Sequence, residues 1–121
     1  MPEFETLQYD ETDGVAWVTL NRPDVHNAFN AAMQRELRAV WTGLRRNDDV
    51  RCAVLSGAGD RAFCTGIDRT ETMGDDHQGD DKVVGSGSTP FMFDDPGSNI
   101  GPKSCDLWKP VIAAVNGMAC G

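Results

Sequence analysis

The chain has 121 residues, 40% of them apolar, and a formal net charge of −8. This length and apolar content suffice for one small domain with a core, and the acidic balance argues against the basic surface that nucleic acid requires. No apolar run reaches the length of a membrane span, and the N-terminus lacks a signal-peptide pattern, so a cytoplasmic protein without membrane or nucleic-acid partners is expected.

Residues 4–9 alternate apolar and polar side chains, residues 15–20 form an apolar, β-branched run, and Thr12-Asp13-Gly14 between them is a turn signal. The pattern predicts a β-hairpin. Pro23, after Arg22, stops the second strand because proline cannot extend the ladder. A helix follows. Asn30 suits its N-cap, and Met33, Leu37, Val40, Trp41 and Leu44 recur at helical spacing on one face. Arg45 and Arg46 suit the negative pole of its dipole. Residues 51–56 read as a short buried strand, and hairpin, helix and strand in that order imply α/β layering.

The stretch Ala62-Phe63-Cys64-Thr65-Gly66-Ile67-Asp68 reads as a turn running into a helix start, with the helix expected over residues 68–73. Phe63 can bury, Gly66 permits a positive φ or a close approach, and Asp68 suits an N-cap. The amides of residues 66–68 would then lack helical partners and carry partial positive charge from the dipole. Rigid N–H groups of this kind are what an oxyanion needs.

Between residues 68 and 96 there are eight acidic residues against two basic ones, which accounts for −6 of the total charge. With Gly85, Gly87 and Pro96-Gly97, this predicts a flexible, solvated acidic segment at about residues 74–104 of a single domain over residues 1–121. Residues 109–121 read as another buried strand, opened by Pro110, apolar through 111–115 and turned at Asn116-Gly117. Such a strand needs cover on both faces.

Gly57-Ala58-Gly59-Asp60-Arg61-Ala62 fits a dinucleotide-binding glycine pattern after a strand. That motif requires a helix to open at once, and Phe63-Cys64-Thr65-Gly66 is a poor first turn, so a plain glycine turn is the better reading. Cys52, Cys64, Cys105 and Cys120 contain no C-x-x-C and do not pair with His26 or His77 at ligand spacing, so no metal site is expected and buried thiols are the default. Cys64 has small or apolar neighbours and no local histidine, which favours a packed thiol over a nucleophile. No carboxylate pair stands out as general acid and base.

Three segments in order, LNRPDVHNAFN, AFCTGID and KPVIAAVNGMACG, resemble successive motifs of the enoyl-CoA hydratase/isomerase (crotonase) superfamily, and the resemblance spans nearly the whole chain. It implies a crotonase-like α/β spiral of β-β-α units, here its N-terminal half. It further implies an acyl-CoA thioester as substrate, with coenzyme A entering as part of it and no separate cofactor, and an enolate held by two backbone N–H groups. On that likeness Ile67 supplies the first donor. Val25, His26, Ala28, Thr65 and Gly66 line the coenzyme A pocket with Ile67, and Asp68 holds the turn in shape. The second donor is expected just after Gly121 and the catalytic glutamates later still. The family assembles as trimers or dimers of trimers. A chain of this extent is therefore expected to be inactive alone, and to aggregate or seek a complementary chain. The alternative is a non-catalytic short form that binds acyl-CoA or a partner.

Overall fold

The computed structural model describes residues 3–68 and 100–120. β1 (Leu7–Thr12) and β2 (Val15–Leu20) form the expected antiparallel hairpin, with Leu7 opposite Leu20 and Thr12 opposite Val15. The first strand lies three residues later than its alternation suggests. Residues 5 and 6 are held by the helix instead: Glu5 N–H and Thr6 N–H donate to the Glu36 carboxylate at 2.7 and 2.8 Å. The turn is Asp13-Gly14, both at positive φ (54° and 81°), the conformation that matches the twist of a two-residue hairpin.

α1 spans Ala31–Arg45. Its N-cap is Asn30, as predicted, and the Asn30 side chain accepts from Met33 N–H at 2.9 Å. This satisfies one of the amides that a helix start leaves unpaired. Met33, Leu37, Val40, Trp41 and Leu44 are buried together against Ala16, Val18, Leu20 and Ala53 of the sheet. Trp41 Nε1–H donates to the Ile100 carbonyl at 2.8 Å, so the large ring buries with its polar edge satisfied.

β3 (Cys52–Gly57) runs parallel to β2, and β5 (Val111–Ala113) runs parallel to β3, giving one four-stranded sheet in the order β1-β2-β3-β5. A second, two-stranded parallel sheet pairs β4 (Ala62–Cys64) with β6 (Met118–Ala119). The chain thus steps repeatedly from the first sheet towards the second. β3 passes into β4, β5 into β6, and β2 into Phe29, which bridges Ile67 in parallel. This stepping is the β-β-α spiral expected from the sequence, and it carries residues 22–29 alongside residues 57–68.

The strand expected over residues 111–115 is shorter and less covered than predicted. It ends at Ala113, Val111 is half-buried, and Ile112 and Val115 are each 56% exposed. The chain bends there because the Asn116 side chain reaches back to the β3–β4 turn. Lys109 fixes the entry to β5, its ammonium donating to the carbonyls of Asn47 and Val50 at 2.6 and 2.7 Å. Of the expected buried thiols only Cys105 is buried; Cys52 and Cys64 are half-buried and Cys120 is exposed. Residues 69–73 of the helix predicted at 68–73, most of the acidic segment at 74–104, and Gly121 lie outside the described residues. Among the described residues, no helix is long and apolar enough to cross a membrane.

Candidate functional site

Two loops meet beside the second sheet. The first, residues 22–29, follows β2 as a short 3₁₀ turn at Pro23–Val25 and then enters the left-handed region at His26 (φ 56°) and Asn27 (φ 58°). Asparagine tolerates that conformation at low cost because its short polar side chain bonds locally. The Asn27 side chain is fully buried and bonds three ways. Its Oδ1 accepts from Arg22 N–H at 2.9 Å, and its Nδ2 donates to the carbonyls of Ala58 and Ala62 at 3.1 and 3.0 Å. The first loop is thereby nailed to the β3–β4 turn.

That turn leaves no room at its origin. A Cβ at Gly57 would sit 2.5 Å from the Phe63 carbonyl. After it comes β4 rather than a helix, which removes the geometry a dinucleotide pyrophosphate would need. Asn116 holds the same turn from the other side, its Oδ1 accepting from Gly57 N–H at 2.9 Å and its Nδ2 donating to the Gly57 and Gly59 carbonyls.

Beyond β4, Gly66 takes φ 101°, a value side chains rarely allow. The neighbouring amides of Ile67 and Asp68 have different fates. Asp68 N–H donates to the Phe29 carbonyl at 2.8 Å. In this bridge Phe29 bonds to the residues on either side of Ile67, its own N–H donating to the Gly66 carbonyl at 2.9 Å. A parallel bridge of that pattern points the N–H of Ile67 away from Phe29. Among the described residues it makes no hydrogen bond. Of the three amides the sequence suggested as spare donors, Asp68 N–H is thus taken up by Phe29.

The other expected site residues fall in the same neighbourhood. Val25 and His26 are exposed on the first loop and Ala28 is buried. Thr65 is half-buried, and its hydroxyl donates to the His26 carbonyl at 3.4 Å. Asp68 is buried, and its carboxylate pairs with Arg22 at 3.1 Å. A cleft of about 380 Å³ opens between the loops, lined by His26 together with Pro23, Asp24, Asn27, Asp60 and Arg61 among others. Of the expected pocket residues only His26 lines it. Burial pushes the Cys64 thiol above its ordinary pKa, with the Gly66 N–H pulling the other way, so the sulfur stays protonated and packs rather than attacks. The sequence reading passed over Arg22, Asn27 and Asn116 as site-building residues. Asn27 carried a local signal, as an asparagine in a proline turn; Arg22 and Asn116 act through contacts distant along the chain. No cluster of metal ligands forms among the described residues.

The sequence model of the Enoyl-CoA hydratase/isomerase family matches residues 10–121. The chain belongs to this family. It is 37% identical to (E)-benzylidenesuccinyl-CoA hydratase of Thauera aromatica, over 88% of this chain and 38% of that protein. It is 38% identical to a probable enoyl-CoA hydratase of Rhodobacter capsulatus, over 98% of this chain and 41% of that one. The chain therefore spans about two-fifths of the length of these relatives. Among solved structures, an enoyl-CoA hydratase/isomerase from Mycobacterium paratuberculosis superposes with a TM-score of 0.71 at 35% identity, covering 98% of this chain and 40% of that structure. Enoyl-CoA hydratase from Bacillus anthracis gives 0.73 at 28% identity, covering 95% of this chain and 41% of that one. The α/β spiral of this enoyl-CoA hydratase/isomerase family member is thus the crotonase fold.

Proposed function

We propose that residues 62–68 form one side of an oxyanion hole for an acyl-CoA thioester, with the backbone N–H of Ile67 as the donor. The supporting observation is the contrast between two neighbouring amides: Asp68 N–H is engaged, while Ile67 N–H is presented by a turn that the Arg22–Asp68 ion pair and a buried asparagine hold in place. Deprotonating a thioester α-carbon, or adding water to its enoyl form, places negative charge on the thioester oxygen. A fixed donor aimed at that oxygen stabilises the charged state more than the ground state.

In this reading Val25, His26, Ala28 and Thr65 bear on the coenzyme A moiety, and the cleft beside His26 and Arg61 is its approach. The whole protein is an acyl-CoA hydratase or isomerase acting in the cytoplasm, with the second donor supplied after Gly121, and it assembles as a trimer or dimer of trimers. The exposed apolar side chains of Trp108, Ile112, Val115 and Met118 suit such burial in a larger body. They equally suit the second reading, a non-catalytic form that binds acyl-CoA and a partner chain.

Turnover of crotonyl-CoA by the whole protein separates the two. Ile67→Pro deletes the N–H and should cost about 3–4 kcal/mol of barrier, whereas Ile67→Ala keeps the amide and should cost far less. Full activity in the proline variant overturns the donor assignment. Absence of turnover in the wild-type protein, with acyl-CoA binding retained, favours the non-catalytic reading.

A further inference from the structure

We propose that Arg22 is a positioning residue for the Ile67 donor, stapling together the two chain segments whose bridge aims that amide. The bridge is a single residue pair closed by two hydrogen bonds, a weak restraint by itself. Arg22 reinforces it from both ends. Its Nη1 donates to the Ala28 carbonyl at 2.6 Å, immediately before Phe29. Its Nη2 lies 3.1 Å from Asp68 Oδ2, immediately after Ile67. One guanidinium thus grips the residue preceding one member of the bridge and the residue following the other.

The chemistry of the fork matters here. A planar guanidinium presents several donors in fixed directions, whereas an ammonium is a point charge that cannot hold both acceptors in that geometry. The Asp68 side chain is 7% exposed and that of Arg22 20%, so little water competes for the pair. Arg22 is itself anchored, because its backbone N–H donates to the buried Asn27 side chain. In sequence Arg22 only precedes the proline that ends β2, and nothing in its local pattern shows that it reaches a residue 46 positions on, as 68 less 22 gives.

This inference rests on the donor assignment above, and its test separates the two. Arg22→Lys and Asp68→Asn, in the whole protein, are read by amide hydrogen exchange and by crotonyl-CoA kinetics. Exchange at Phe29 and Asp68 should speed up while core amides of α1 such as Leu37 and Val40 keep their rates, since a general loss of stability would accelerate all of them. The kcat should fall by about tenfold with KM changed by less than about twofold, as expected when a donor is misplaced by a fraction of an ångström. Unaltered exchange at Phe29 and Asp68 overturns the staple. Faster exchange there with unaltered kcat overturns the positioning role. Faster exchange in a protein that turns over no acyl-CoA even as wild type supports the staple and overturns the oxyanion reading.

Discussion

Residues 62–68 and residues 111–120 both run from a parallel strand towards a glycine and pair with each other, yet side chains from elsewhere in the chain hold only the first. The first stretch is fixed from elsewhere in the chain by the buried Asn27 side chain on the Ala62 carbonyl, the Arg22 side chain on the Asp68 carboxylate and the Phe29 backbone on both sides of Ile67. In the second, every residue from 112 to 120 is exposed, and it is held by backbone pairing of β5 to β3 and of β6 to β4 and by its own Asn116 reaching back to Gly57 and Gly59. A donor aimed to a fraction of an ångström requires the first kind of support. The second stretch shows that a family motif can be plain in sequence while its packing is not.

The largest expected effect on this contrast comes from Asn27→Ala. It strands the Arg22 amide and the Ala58 carbonyl, leaves the Ala62 carbonyl only a 3.4 Å bond from Asn116, and puts alanine at φ 58°. Loss of about 3 kcal/mol in urea unfolding is predicted, from unsatisfied buried groups together with backbone strain. A loss under about 1 kcal/mol, the size of one ordinary hydrogen bond, would show that the loops do not depend on this residue. The smallest effect belongs to the exposed stretch. Ile112→Ser in the 121-residue chain should change stability by no more than about 0.5 kcal/mol, as for other surface positions. A loss of several times that would mean that the β5 face is covered in solution, and the contrast would narrow.

The hairpin, α1 with its Asn30 cap, and β3 were legible because their signals are local: alternation, apolar spacing and one capping side chain. The family was legible through three short motifs in order. The start of β1 was not, because residues 5 and 6 are claimed by Glu36 some 30 positions away. β6 is two residues long and pairs with a strand 55 or more residues distant, too little pattern for periodicity to register. At the site, the turn itself offered the amides of residues 66–68 and the family resemblance singled out Ile67, but neither shows what keeps that amide unbonded. That depends on Phe29 facing Ile67, a pairing set by the spiral and not by either sequence segment.

The donor assignment is tested most directly by replacing the amide that precedes Ile67 with an ester, which removes the N–H while leaving every side chain in place. In the whole protein, kcat for crotonyl-CoA should fall by about a hundred- to a thousandfold, the typical cost of losing one oxyanion donor, with KM little altered. An ester variant that hydrates crotonyl-CoA at the wild-type rate would contradict the assignment.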